Sequence, residues 1–236
     1  DGKTKPINEY AVEQKAQLTP TLLFYVKGRK LALKLVGYHT PYKMRAALEY
    51  VVDEHYKTKR FGEYLEQADP PPLFADETLN PDPLFITPPY ALDRSRFAAK
   101  KPLLVIFEQP RCHACDVLHS EPLKNPLVRN RLLGFEVVQL NVWDDTTRVL
   151  TPDGRRMTAR QWARDLGLFY APTLLLFDER GKEVFRVDSV VQFSRLANVL
   201  RYVADKAYLK YPLFQLWNHD HADEEVSLQR ATRAPK

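Results

Sequence analysis

The segment that begins at Asp153 repeats the segment that begins at Asp1 at a constant offset of 152 (153 minus 1), so the chain uses part of one supersecondary unit twice. Asp1-Gly2 pairs with Asp153-Gly154 and Ala11 with Ala163. Pro20-Thr21-Leu22-Leu23 pairs with Pro172-Thr173-Leu174-Leu175, Lys30 with Lys182 and Leu35 with Val187. Tyr50-Val51, Asp53 and Tyr56 meet Tyr202-Val203, Asp205 and Tyr208. One ungapped register from the first residue to Tyr56 is not the signature of scattered chance identity. Each copy reads as helix, Pro-led strand, second strand and final helix. In the second copy, Ala159, Trp162, Ala163 and Leu166 have helical spacing, with Thr158 as cap and Gly167 as stop. Thr173 to Phe177 is a short apolar run suited to a buried strand, Asp178 to Gly181 is turn chemistry, and Glu183 to Val187 returns as a strand.

The second copy is preceded by a further half, from roughly Lys101 to Pro152, for which the first copy has no counterpart: strand Leu103 to Glu108, a cysteine pair, a helix, and strand Phe135 to Val142. Four regions are therefore expected. Residues 1-60 form half a domain without cysteines, 61-99 a proline-rich linker, 100-215 a complete domain, and 216-236 a polar tail. Pro70, Pro71, Pro72, Pro81, Pro83, Pro88 and Pro89 favour extended chain in the linker, with Leu73, Phe74, Leu84, Phe85 and Tyr90 apolar enough to lie on a domain surface. A half-domain at 1-56 lacks central strands, which would expose Leu22, Leu23, Phe24 and the inner face of its last helix. The expected remedy is further chain before Asp1; a second chain or docking on the other copy are the alternatives.

The charge balance of 35 basic against 30 acidic residues gives +5 and a pI near 9.1, but the charges are interspersed. No basic block with interleaved aromatics points to nucleic acid, and no apolar run is long enough to span a membrane. Only two cysteines are present, Cys112 and Cys115, so a structural disulfide would consume the one reactive pair and stability must come from packing.

Cys112-His113-Ala114-Cys115 follows the buried-strand run Leu103 to Phe107, and Glu108 to Arg111 reads as the loop that ends it. Cys112 falls where a helix starts, so unpaired backbone N–H groups and the helix dipole favour its thiolate. Cys115 sits one turn deeper on the same side, placed to resolve a mixed disulfide. Half of a zinc site, or two unreactive core cysteines, are the competing readings. His113 stabilises the thiolate when protonated or else faces solvent. Glu108 is the nearest acid, either a proton relay or an ordinary loop carboxylate. His119 reads as a packed or surface histidine. The tail His219-Asp220-His221-Ala222-Asp223 reads as a polar terminus, and no metal or other cofactor is expected.

The second element of the pattern is Tyr170-Ala171-Pro172-Thr173-Leu174, a proline at the head of a strand. Together with Cys112-His113-Ala114-Cys115 after an apolar strand, it resembles the thioredoxin superfamily, and Phe107-Glu108-Gln109-Pro110-Arg111-Cys112 is similar to bacterial exported proteins of the SoxW kind. The resemblance covers about Lys101 to Tyr208, with the first copy extending it to Asp1 to Tyr56. It implies an α/β fold with a thioredoxin-like mixed sheet flanked by helices, preceded by a partial second copy. It further implies Cys112 as nucleophile, Cys115 as resolving thiol, and Pro172 as a cis proline, with Ala171, Pro172 and Thr173 meeting an extended substrate; Thr19-Pro20 would be cis by the repeat. Ile106 stands where that family places a buried acid, and Arg111 where it usually carries tryptophan. The implied function is thiol-disulfide exchange on protein thiols or disulfides, reduction slightly favoured, with an unknown redox partner, in a bacterial periplasm or otherwise exported. A binding or scaffold module with an incidental dithiol is the rival, and a metal carrier a third reading.

Overall fold

The computed structural model describes residues 4–37, 39, 41–68, 78–188 and 193–221. Its centre is a four-stranded sheet in the order β5-β4-β8-β9, made of β4 (Leu103–Glu108), β5 (Glu136–Asn141), β8 (Thr173–Phe177) and β9 (Glu183–Val187). β4 runs parallel to β5 and antiparallel to β8, and β8 is antiparallel to β9, so the sheet is mixed. Every residue of β4 and β8 is buried, because both faces are covered.

Period-two alternation sorts β4 between two cores. Leu104 and Ile106 join Leu118 of α4 (His113–Ser120), Val128 of α5 (Pro126–Leu132), Leu196 and Tyr202 of α7 (Phe193–Ala204), and Trp217 of α8 (Phe214–Asp220). Leu103, Val105 and Phe107 join Trp162 of α6 (Ala159–Asp165) and Val149 on the other face. Helix α6 begins at a complete capping box in which Thr158 and Gln161 satisfy each other's backbone N–H groups.

A small second sheet has the order β3-β6-β7, from β3 (Tyr90–Ala91), β6 (Arg148–Leu150) and β7 (Arg156–Thr158). This corrects the expected linker at 61-99. Besides β3, its last part holds Leu92, buried in the Trp162 core, and buried Arg94, which binds Glu136 at 2.5 Å. Phe85 bridges to Val137. Prolines exclude a central strand there, but they do not stop apolar side chains from completing a core. The linker's other end is helical, as α3 (Phe61–Ala68). Residues 69–77, with Pro70 to Pro72, Leu73 and Phe74, lie outside the described residues. The boundary expected at 215/216 also falls inside a helix, α8, because Trp217 packs into the domain core; His219 and Asp220 end that helix, while Ala222 and Asp223 are outside the described residues.

The N-terminal unit consists of α1 (Ile7–Glu13), the hairpin β1 (Thr21–Val26) with β2 (Lys30–Val36), α2 (Pro41–Val52), and α3. Its helices α1 and α2 lie 152 residues before α6 and α7, end for end, and the 3-10 turns His55–Lys57 and Ala207–Leu209 keep the same offset. The inner face of α2 is covered in the manner that stood as an alternative, by docking: Ala46, Ala47 and Tyr50 are buried beneath Phe61 and Leu65 of α3 and against Phe169 of the central domain. Leu22 of β1 is partly exposed. Leu18, just before β1, is buried in the domain core, so the unit is docked.

Removing a buried leucine side chain costs about 2–5 kcal/mol when the surroundings relax little. Leu18→Ala is therefore expected to lower the stability of the central domain by ~2–4 kcal/mol, read as a lower urea midpoint. A domain transition unmoved by the substitution would show that Leu18 is not part of that core.

Candidate functional site

Strands β4 and β8 are antiparallel, so the end of one and the start of the other lie side by side: Phe107 faces Thr173 directly in register. The chain leaves β4 through Gln109 to Arg111, with Arg111 at φ +50°, and delivers Cys112 as the N-cap of α4. Its Sγ accepts a hydrogen bond from the Cys115 backbone N–H at 3.1 Å, and the helix start supplies the local positive potential. Cys112 and Cys115 are joined as a disulfide, with Cα atoms 5.1 Å apart. On the facing side, Cys112 Sγ lies 3.6 Å from the Ala171 carbonyl oxygen. The Ala171–Pro172 bond is cis, as are Thr19–Pro20 and Pro88–Pro89. Thr173 Oγ1 donates to the Tyr170 carbonyl at 2.7 Å and closes the turn that presents Ala171.

Cys112 is 7% exposed and Cys115 1%, so the order of accessibility is as expected but Cys112 is not open to solvent. The Ala171 turn covers its sulfur. Helix α4 includes His113, whose side chain lies outside the described residues, so its role as a thiolate partner has no geometry here.

Glu108 is not a loop carboxylate. As the last residue of β4 it shares the alternation of Leu104 and Ile106 and points to the face covered by α4, with no exposed surface. Its Oε1 meets His119 Nε2 at 2.9 Å and its Oε2 accepts from Gln139 Nε2 at 2.8 Å. Gln139 also donates to the Asn80 carbonyl at 2.8 Å, and Asn80 Nδ2 reaches Asp116 on the outer side of α4 at 2.8 Å. His119, expected only as a packed or surface residue, is thus a member of a buried polar network, held edge-on by Phe85. Cys115 and His119 are four residues apart on α4 and share its inner face. The signal was present in the sequence as two periodicities, two in the strand and 3.6 in the helix, which meet at these residues.

A second polar cluster lies behind the Ala171 turn. Asp188 follows β9, and packing desolvates its carboxyl and pushes it up to about 6, with Glu183 adding to the shift. Arg186, Lys34 of β2 and the Thr173 hydroxyl act in the opposite direction. Burial lowers Lys34 in turn. Among the described residues, no group of three or more His, Cys, Asp or Glu side chains is placed to hold a metal ion, and no helix is long and apolar enough to cross a membrane.

Residues 91–204 match a family model described as a thioredoxin-like domain. A thioredoxin-fold protein from Helicobacter pylori superposes with a TM-score of 0.52 at 15% identity, over 61% of this chain and 94% of its own, a likeness of fold. The reduced C-terminal domain of DsbD from Neisseria meningitidis gives 0.34 at 15% identity, over 44% of this chain and 81% of its own. A thioredoxin from Thermus thermophilus gives 0.35 at 23%, over 44% and 73%. No protein of curated function matches the sequence.

The Asp188 shift sets a sign for stability. Its folded value, about 6, lies above the ordinary 3.8, so the folded chain holds a proton that the unfolded chain releases. The associated stability is complete below about pH 4 and is lost as pH rises through about 6. Asp188→Asn is expected to raise stability at pH 7.5 by about 2 kcal/mol and to change it little at pH 4, measured by urea unfolding at the two pH values. An equal effect at both would show that ionisation of Asp188 is not what costs stability.

Proposed function

We propose that the chain is a protein thiol-disulfide oxidoreductase with the reducing direction slightly favoured, a reading supported by the match of residues 91–204 to a thioredoxin-like domain and by the Cys112–Cys115 pair within it. The observation that carries this reading is the position of Cys112: at the N-cap of α4, hydrogen-bonded by the Cys115 N–H, and set against the carbonyl of Ala171 beside Pro172. A thiolate there is stabilised by the helix start and lies next to extended backbone that can pair with a polypeptide.

In the reducing direction, the Cys112 thiolate attacks one sulfur of a substrate disulfide. The Cys112–substrate bond forms, the substrate S–S bond breaks, and the departing thiolate takes up a proton. Cys115 then loses its proton and attacks Cys112 Sγ, which releases the second substrate thiol and leaves the Cys112–Cys115 disulfide. Two electrons have passed from the dithiol to the substrate, and a dithiol or thiol partner returns them by the same steps. The backbone of Ala171, beside Pro172, holds the substrate segment; Thr173, expected to share that role, is fully buried in the β4 ladder and acts behind the turn instead. The seven per cent exposure of Cys112 fits attack by a narrow, extended substrate strand that reaches the sulfur beside the turn.

Cys115 is nearly sealed from water, so its proton needs an internal acceptor. Ile106 offers none. Glu108 and His119 share the same face of the sheet and helix, and His119 reaches the domain surface, with 12% of its side chain exposed. In this reading Glu108 takes the Cys115 proton and His119 passes it outward. A bacterial periplasm or another exported setting suits this chemistry and follows the likeness to exported proteins of the SoxW kind.

With dithiothreitol as donor, the chain is expected to accelerate insulin reduction. Cys112→Ser abolishes this, and Cys115→Ser traps a covalent adduct through Cys112; full activity in Cys112→Ser would sink the proposal. Glu108→Gln is expected to slow release of the mixed disulfide roughly tenfold or more in stopped-flow measurements, with alkylation of reduced Cys112 little changed. An unchanged release rate would remove Glu108 from the proton path.

A further inference from the structure

The turn that presents Ala171 to Cys112 is held from outside the domain. On the inner side, Leu168 packs with the Trp162 core and its N–H donates to the Ala163 carbonyl at 2.9 Å. Phe169 instead turns its ring outward into the core of the N-terminal unit, where Phe61 of α3 meets it edge-on at 5.0 Å. Lys43 of α2 donates from Nζ to the Phe169 carbonyl at 3.0 Å and lies 4.4 Å above the ring of Tyr170. Buried His39 stacks on Phe169 at 6.2 Å and stands edge-on to Tyr170 at 5.9 Å. Gly62 comes so near that a Cβ there would lie 3.4 Å from the Leu168 carbonyl oxygen.

These contacts converge on three consecutive residues, 168–170, and the next residue is the one whose carbonyl touches the Cys112 sulfur. The carbonyl bound by Lys43 belongs to a main chain that continues directly into the Ala171 turn. A charge-assisted hydrogen bond and a cation over an aromatic face both fix direction as well as distance.

We infer that Lys43, with Phe61 and His39, positions the Phe169–Ala171 turn for polypeptide substrates, so that the N-terminal unit is part of the substrate site. This rests on the oxidoreductase reading. The residues act through the turn and touch neither sulfur, so they govern capture of an extended chain at the turn. A compact disulfide that needs only Cys112 does not depend on them.

The test uses the full chain, reduced and then mixed in single turnover with either a disulfide-linked peptide or the small aromatic disulfide of Ellman's reagent. Lys43→Met is expected to raise the half-saturating peptide concentration by about fivefold or more, with the maximal rate and the rate with Ellman's reagent changed less than about twofold. Lys43→Arg restores peptide capture, because the guanidinium keeps a charged donor. Phe61→Leu serves as the second variant, keeping an apolar core while removing the ring contact, and is expected to act in the same direction. Unchanged peptide capture in folded Lys43→Met and Phe61→Leu chains overturns the inference, and so does an equal fall in rate with both substrates. A wild-type chain that reacts with Ellman's reagent but not with any peptide disulfide overturns both the inference and the protein-substrate reading. Normal peptide turnover in the wild type with unaffected variants overturns the inference alone.

Discussion

The antiparallel pairing of β4 with β8 is the constraint on which the site depends. Cys112 follows the end of β4 and Pro172 precedes the start of β8, so two loops distant in sequence become neighbours only because the strands run in opposite directions and hold register from Leu103 with Phe177 to Phe107 with Thr173. A slip of one residue would turn Leu104 and Ile106 toward the Trp162 face and Phe107 toward α4, exchanging the two cores. The burial of both faces of β4 resists that slip. Core packing and chemical geometry are thus set by the same ladder.

The parts of the fold with strong periodic signals were legible in the sequence. The apolar runs at Leu103 to Phe107 and Thr173 to Phe177, the helical spacing through Trp162, and the cysteine pair at a helix start all have local causes. The edges were not. Leu92 and Arg94 lie in a proline-rich stretch with no periodicity, yet the first fills a core and the second pairs with Glu136. Their places are dictated by β6 and β5, which no local rule brings to them. Tail and linker boundaries failed for the same reason, since Trp217 and Phe61 form helices that gain their stability from packing.

At the site, the cysteines and Pro172 could be read directly, while the Glu108–His119 pair required two periodicities to be combined across a tertiary contact. A buried carboxyl without partners would be costly, and here both oxygens are satisfied, by His119 and by Gln139. Around the Ala171 turn the pattern is similar. Thr173 closes it from within the domain and influences the buried Asp188 carboxyl behind it, and Lys43 fixes its main chain from α2. The N-terminal unit carries no cysteine, yet it packs its core on Phe169, two residues before Ala171.

Cys112 and Cys115 are expected to be a working redox couple in the folded chain. Equilibrating the native protein in buffers of defined thiol-disulfide ratio, then alkylating and weighing it, tests this most directly. Both thiols are expected to appear together as one two-electron transition, at a potential within the span of known exchange proteins, about −120 to −270 mV. A disulfide that stays closed in strong reductant until the chain is unfolded would contradict it.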